Sequence, residues 1–183
     1  MSSNEIPDSN EEKINFAKKL KEEGNEHFKK GEYLKAIKQY KTIFLYVTGL
    51  DSNLMSVMGG NMMKGASSGQ SLSETEQLQV LASLNLSQCY LKLNKYEQAL
   101  DYAQRALKLE PSNTKGHLRK ALAHVGLGDI DNSERELELV SKEIPNDPLV
   151  KQAYSKLEEL KKQYKVKEKK MMMGMFGKGL SDQ

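Results

Sequence analysis

Two short stretches of this 183-residue chain place polar groups suited to holding an anion at four-residue spacing. Lys21 precedes Asn25, and Lys115 precedes Arg119. On a helix, residues four apart lie on the same face, so each pair would present its donors together. Arginine can bind a carboxylate through two parallel hydrogen bonds, lysine acts as a point charge, and an asparagine amide donates. The spacing therefore favours recognition of a ligand that carries carboxylates.

Groups that could carry out catalysis are sparse in the sequence. The three histidines, His27, His117 and His124, are expected in packing or solvent-exposed roles. Cys89 is the single cysteine; no histidine lies near it in the sequence, and we interpret it as a packing thiol without an internal disulfide partner. Because the sequence has no phosphate-binding loop, no HExxH motif and no paired-cysteine pattern, it predicts neither an enzyme nor a bound metal or cofactor.

The elements that would carry the basic and amide residues recur along the chain. Pro111 and Pro145 lie 34 residues apart, and each follows an amphipathic segment. In the same frame Gly128 aligns with Asn94, and an earlier segment places Gly31 at the corresponding position. The sequence therefore predicts three units of helix–turn–helix size, with the period of the tetratricopeptide repeat.

The repeat frame brings the candidate binding residues onto one surface. The first helix of each unit lines the inner groove of such a stack, and Asn85 and Arg119 occupy the same position in successive units. The predicted site for peptide carboxylates comprises three cations and two amides: Lys21, Asn25, Asn85, Lys115 and Arg119. The alternative interpretation is that these residues are ordinary solvated helix faces.

Capping patterns and apolar periodicity predict the helices. Ser9 with Glu12 and Ser73 with Glu76 each form a capping-box pattern, and an apolar stripe between residues 149 and 164 predicts a terminal helix. The predicted helices span about residues 10–30, 33–48, 74–93, 96–108, 113–126, 131–143 and 147–168. The predicted fold class is all-α, with three tetratricopeptide helix–turn–helix repeats in a right-handed superhelical stack and a C-terminal capping helix.

The composition agrees with a helical protein outside the membrane. Charged residues make up 29% and hydrophobic residues 38% of the chain, and the net charge of +3 is too small to indicate nucleic-acid binding. The polar N-terminus lacks the apolar core of a signal peptide, and the longest apolar run, residues 43–47, is far shorter than a membrane span. We expect a cytoplasmic or nuclear protein that binds neither nucleic acid nor membrane.

These patterns also predict the domain organisation. Residues 1–10 are expected to form a disordered N-terminal segment, residues 11–165 the repeat domain, and residues 166–183 a basic, methionine-rich tail. Within the domain, repeats are expected at about 17–50, 74–113 and 114–147, followed by the capping helix at about 147–168. Residues 51–73 read as a flexible insertion rich in glycine, serine and methionine, with a methionine-rich partner surface as the alternative.

The five predicted groove residues resemble the dicarboxylate clamp of tetratricopeptide domains in chaperone cofactors. In that family two lysines, two asparagines and a lysine or arginine hold the final aspartate carboxylates of cytosolic heat-shock chaperones. All five positions are filled here, and the similarity covers about residues 12–165. The resemblance implies a non-catalytic co-chaperone that binds tails of the Glu-Glu-Val-Asp type from the 90-kilodalton or 70-kilodalton heat-shock chaperones.

Further features resemble the C-terminal part of the large FK506-binding immunophilins. They are the Lys-Glu-Glu-Gly-Asn-Glu-His-Phe sequence at 21–28, the long insertion after the first unit, and a lysine-rich helix that ends in Met-Gly-Met-Phe at 173–176. Residues 161–170 carry six lysines against one glutamate, and in that family such a helix is linked to calmodulin. About ten polar residues precede the repeats in place of an isomerase domain, so we expect a repeat-only relative or part of a longer chain.

Three functions are consistent with the sequence. The leading hypothesis is an adaptor for chaperone tails, which is a binding module without chemistry. The second is the repeat-containing arm of a peptidyl-prolyl isomerase whose catalytic domain is absent here. The third is a repeat scaffold for other partners, as in an import receptor or a phosphatase arm.

Overall fold

The computed structural model describes residue 7, residues 9–48, residue 50 and residues 72–177, and every regular element in these residues is a helix. The helices are α1 (Asn10–Lys29), α2 (Tyr33–Val47), α3 (Glu74–Lys92), α4 (Tyr96–Leu109), α5 (Thr114–Leu127), α6 (Ile130–Glu143) and α7 (Pro148–Gly177). They lie where the sequence predicts them, and α7 continues past its expected end near residue 168. The insertion predicted at 51–73 and the segment predicted at 1–10 lie almost entirely outside the described residues.

The helix starts that the sequence predicted are present. Ser9 and Ser73 each accept a hydrogen bond from the backbone N–H of the glutamate three residues later, Glu12 and Glu76, and each glutamate side chain accepts from the capping residue's own N–H. These reciprocal bonds satisfy backbone donors that the first helical turn leaves without partners. Both capping boxes are therefore confirmed.

The turn inside each helix pair uses the same backbone conformation at the same repeat position. Gly31, Asn94 and Gly128 have φ angles of 76°, 56° and 75°. This left-handed region favours glycine and, after it, asparagine, because other side chains clash with the backbone there. The alignment of these three positions in the sequence therefore reflects a shared turn geometry.

Helices stack in chain order, and each pair packs on the next. Among the described helices, α1 contacts α2, α3 contacts α4, and α5 contacts α6; in addition α3 packs on α2, α5 on α4, and α7 on α6. The first helices of successive pairs also contact one another, from α1 to α3 to α5 and on to α7. These first helices form one continuous surface, which positions the predicted binding residues.

The first pair packs closely, which brings a side chain of α2 up to α1. A Cβ atom built on Gly24 would lie 2.5 Å from Cε1 of Tyr40, closer than real side chains approach. Gly24 therefore allows the ring of Tyr40 to lie against the backbone of α1. The Tyr40 side chain is only 1% exposed.

Helix α7 is docked along its first half only. Val150, Ala153 and Leu157 are buried against α5 and α6, whereas every residue from Lys162 to Gly174 is exposed. No helix in the described ranges combines the length and the apolar character needed to cross a membrane.

Candidate functional site

The predicted binding residues all lie on the surface formed by the first helices of the three pairs. Helix α1 carries Lys21 and Asn25, α3 carries Asn85, and α5 carries Lys115 and Arg119. The structure joins some of these side chains directly and leaves others separate. The two asparagines bond to each other, and the arginine bonds to Gln88 and to the backbone oxygen of Lys115.

Asn25 and Asn85 meet across the contact between α1 and α3. The Nδ2 of Asn85 donates to the Oδ1 of Asn25 at 3.2 Å, although the two residues are 60 positions apart. The hydroxyl of Tyr40 donates to the same oxygen at 2.7 Å. Two donors therefore converge on one amide oxygen at the back of the groove.

Arg119 is held at the adjoining contact, between α3 and α5. Its Nη2 donates to Oε1 of Gln88 at 2.9 Å, and its Nη1 approaches the backbone oxygen of Lys115 at 3.3 Å. Burial lowers the pKa of the Arg119 guanidinium to about 10, which still leaves it charged at neutral pH. Its Nε is buried without a hydrogen-bond partner, and no carboxylate of the described residues forms a salt bridge with it.

The two lysines of the predicted site remain at the edge of the groove. Lys115 is exposed and Lys21 is half-buried, and neither ammonium group forms a salt bridge within the part of the chain that the structure describes. Lys21 lies one turn before Asn25 on the same helix face, and Lys115 lies one turn before Arg119. The groove therefore carries positive charge that no described carboxylate neutralises.

The structure adds residues that the sequence did not single out. A pocket of about 150 Å³ is lined by Asn25, Phe28, Lys29, Tyr40, Asn85 and Gln88. The repeat frame could have identified Gln88, because it is related to Asn25 by the same offset that relates Asn94 to Gly31. Lys29 lies one turn after Asn25 and adds a further cation to the rim.

A second, larger cavity adjoins the polar pocket. It has a volume of about 260 Å³ and lies between the C-terminal halves of α3 and α5 and the start of α7. Its walls are mainly apolar, with Leu91, Leu122 and Val125 among them, and Gln88 lines both this cavity and the polar pocket. The groove thus combines a polar end with an apolar end.

The histidines serve the fold. Nδ1 of His27 lies 2.6 Å from a carboxylate oxygen of Glu32, and Nδ1 of His124 lies 3.1 Å from Asp129 at the equivalent repeat position. In both histidine contacts the acidic residue directly precedes the second helix of the unit. In the first repeat this contact is a hydrogen bond that ties the two helices together, whereas Nδ1 of His124 is buried without a hydrogen-bond partner.

Another side chain that could take part in a reaction is Cys89, which also packs inside the fold. Cys89 is fully buried, and burial raises the pKa of its thiol to about 12, so that it is not a nucleophile at neutral pH. No three potential metal ligands cluster anywhere in the described ranges. The arrangement can bind an anion through hydrogen bonds and charge.

A family model described as "Tetratricopeptide repeat" matches residues 90–157. The chain is 27% identical over 168 residues to the rat (Rattus norvegicus) protein "Peptidyl-prolyl cis-trans isomerase FKBP4". That match covers 92% of this chain and 34% of the relative, so the chain spans about a third of the length of the curated relatives it matches.

Solved structures share the fold. The C-terminal tetratricopeptide domain of a Plasmodium falciparum protein described as FK506-binding has a TM-score of 0.71 and 26% identity, with 86% of this chain and 97% of that chain covered. The second tetratricopeptide domain of human RPAP3, solved with the HSP70 peptide SGPTIEEVD, has a TM-score of 0.55 and 23% identity. Its match covers 84% of this chain and 98% of that chain.

Proposed function

We propose that this tetratricopeptide-repeat domain, whose fold is that of co-chaperone repeat domains, is a non-catalytic adaptor for the acidic C-terminal tail of a heat-shock chaperone. The tail would end in Glu-Glu-Val-Asp, with its α-carboxylate free. The observation that carries the proposal is that side chains from three successive repeats are linked in one groove. Asn25 bonds to Asn85, and Arg119 bonds to Gln88.

The proposed roles follow from the position of each group. Lys21, Asn25 and Asn85 would hold the terminal α-carboxylate and the side-chain carboxylate next to it. Lys115 and Arg119 would hold the remaining anionic groups and the peptide backbone. The partly buried guanidinium of Arg119 suits a bidentate carboxylate, because a charge-assisted hydrogen bond is stronger where water is partly excluded.

The comparisons support the choice of ligand class. The human RPAP3 domain, which has the same fold, was solved with a peptide that ends in Glu-Glu-Val-Asp. The unneutralised cations of the present groove are chemically suited to such a tail. A short tail loses conformational freedom when it is bound, so we expect a dissociation constant of roughly micromolar.

Isothermal titration calorimetry with a synthetic Glu-Glu-Val-Asp peptide tests the proposal. The Arg119→Ala variant should bind about tenfold more weakly, because the carboxylate loses its bidentate partner. Amidation of the peptide's C-terminus should have a comparable effect, and added salt should weaken binding through screening. Arg135→Ala, at an exposed position on α6, is the matched control and should leave affinity unchanged.

Equal binding of the free and the amidated peptide by the wild-type domain would reject the clamp. The domain would then be a repeat scaffold for other partners. If Arg135→Ala and Arg119→Ala weaken peptide binding by the same factor, general positive charge, and not the groove, is responsible for the binding.

A second candidate is the repeat arm of an FK506-binding peptidyl-prolyl isomerase. It is favoured by the match of 92% of the chain to part of the rat FKBP4 sequence. The described residues contain only helices, so isomerase activity would reside in a different domain. The full reading frame of the gene tests this candidate: an adjoining isomerase domain would support it, and a frame that encodes only repeats would reject it.

A further inference from the structure

Tyr40 projects a buried hydroxyl into the back of the proposed clamp. It belongs to α2, the outer helix of the first pair, and reaches the groove because its ring lies against Gly24. Tyr40 lines the polar pocket together with the two asparagines. The clamp residues proposed above do not include it.

This hydroxyl is obliged to donate a hydrogen bond. Burial raises the pKa of Tyr40 well above its ordinary value, so the phenol keeps its proton at neutral pH. A buried O–H without an acceptor destabilises the folded state. The acceptor here is Oδ1 of Asn25, at 2.7 Å.

The donation determines which end of the Asn25 amide faces the ligand. An asparagine amide has one accepting oxygen and one donating nitrogen on opposite sides. Because Oδ1 accepts from both Tyr40 and Asn85, it points to the back of the groove, and Nδ2 is turned away from Tyr40. Within the described residues no acceptor is bound to that Nδ2.

We propose that Tyr40 is a positioning residue which holds the Asn25 amide with its N–H donors toward the ligand, and so sets the preference for a carboxylate over a carboxamide. The proposal rests on the clamp function proposed above. With the amide reversed, an oxygen would face the carboxylate of the peptide and repel it. With the amide held, the groove presents an N–H donor. A carboxylate accepts a hydrogen bond from this donor more strongly than a neutral amide does.

The Tyr40→Phe variant tests this role, since it keeps the ring against Gly24 and removes only the hydroxyl. We expect its affinity for the free-acid peptide to fall about fivefold, with less than about a twofold change for the amidated peptide. The ratio between the two affinities therefore decreases. Tyr154→Phe is the matched control, because its hydroxyl also donates a hydrogen bond, to the Ser141 hydroxyl at 3.5 Å, and it lines neither pocket of the groove.

An equal loss of affinity for both peptides in Tyr40→Phe would make Tyr40 a packing residue and overturn the proposal. Unchanged affinity for both would also overturn it. A preserved ratio in Tyr154→Phe, together with a reduced ratio in Tyr40→Phe, is the supporting result.

A ligand-free measurement separates this inference from the clamp function. In nuclear magnetic resonance spectra of the wild-type domain, the side-chain amide protons of Asn85 should exchange slowly with solvent, because one of them is bonded to Asn25. In Tyr40→Phe they should exchange faster, as Asn25 samples both orientations. Unchanged exchange in Tyr40→Phe would reject the positioning role even if the wild-type domain binds the peptide. Faster exchange in Tyr40→Phe, with no peptide binding by the wild-type domain, would reject only the clamp function.

Discussion

Arg119 differs from both kinds of arginine that a helical repeat commonly contains. An arginine on a solvated face would be exposed, and one that holds the fold together would have a carboxylate partner. Arg119 is half-buried, its pKa is lowered by that burial, and among the described residues it bonds only to neutral oxygens. This combination argues against the interpretation of the groove as an ordinary charged surface.

Gln88 offers a direct test of that argument. In Gln88→Glu a carboxylate would replace the neutral oxygen that lies 2.9 Å from Nη2 of Arg119. It would neutralise the guanidinium and repel an anionic ligand, so we expect peptide affinity to fall about tenfold or more. Calorimetry with the Glu-Glu-Val-Asp peptide provides the measurement. Gln104→Glu, an exposed position on α4, is the control for the added charge and should bind nearly as wild type.

The sequence predicted which residues face the groove, but not how they are oriented. Four-residue spacing and the repeat frame were sufficient to place Asn25, Asn85 and Arg119 on one surface. The hydroxyl of Tyr40 could not be predicted, because its position depends on how closely α2 packs on α1. Gln88 could have been predicted from the repeat frame, but its bond to Arg119 depends on side-chain conformation.

At the scale of elements, α5 and α6 are joined by an ion cluster around Glu136. This carboxylate is 8% exposed and lies 2.6 Å from Nζ of Lys120 and 2.7 Å from Nδ1 of His117. Burial acts to raise the pKa of Glu136, but the hydrogen bonds from Lys120 and His117 outweigh it and the pKa lies below its ordinary value. Ionised Glu136 therefore stabilises the folded state.

The Glu136→Gln variant should lose that stabilisation in a pH-dependent way. A depressed folded-state pKa contributes stability above the unfolded value of 4.5, and this contribution is lost as pH falls through the folded value. We expect a deficit of about 2 kcal/mol at pH 7, or about 4–8 °C in Tm, which diminishes below about pH 4. Thermal denaturation followed by circular dichroism measures it. Glu138→Gln, exposed on the same helix, should show no such deficit.

The far half of α7 is an exposed basic helix. Lys162, Lys165 and Lys169 lie on it, and Tyr164 and Met171 are 63% and 60% exposed. A basic helix that also carries apolar side chains suits an acidic partner with an apolar groove. We propose calmodulin as this partner.

Titration with calcium-loaded calmodulin should detect complex formation below about 100 µM. A chain shortened after Leu160 retains the docked half of α7 and should not bind. Binding that persists in the shortened chain would locate the contact elsewhere, and absence of binding by the complete chain at high micromolar concentration would reject calmodulin as a partner.

The helices themselves were predictable because several local signals agreed. Capping boxes marked the starts of α1 and α3, and turn residues at 31, 94 and 128 marked the bends inside each pair. The end of α7 was placed too early, since the apolar stripe stops near Tyr164. Beyond it the helix depends on lysine, glutamate and methionine, which favour helix without any packing pattern.

At the scale of the molecule, the repeats form a quasi-linear stack in which each helix contacts only near neighbours. Such a stack opens most readily at its ends, and α1 lies at one end of the described helices. The proposed clamp draws residues from α1, α3 and α5, so a bound peptide would connect three repeats. Ligand binding should therefore protect α1 in particular.

Hydrogen exchange measures this protection. At a peptide concentration of about 100 times Kd, the folded state should gain about 2.7 kcal/mol, and amide exchange in α1 should slow accordingly. The amidated peptide at the same concentration is the control, and it should protect α1 much less. Equal slowing of amide exchange in α1 and in the exposed half of α7 would contradict a ligand that connects only the three helix pairs.

Because the first half of α7 is docked, its exposed half forms a helix at a lower free-energy cost than the same segment would alone. An isolated helix of this length is marginal in water, because fixing the first turn is unfavourable. Val150, Ala153 and Leu157 fix those first turns by packing on the repeats, so the exposed half only has to propagate a helix that already exists. The repeat stack thus acts as the nucleus for a segment that it leaves exposed. A partner that recognises this segment as a helix would bind the complete domain more tightly than a synthetic peptide of the same sequence.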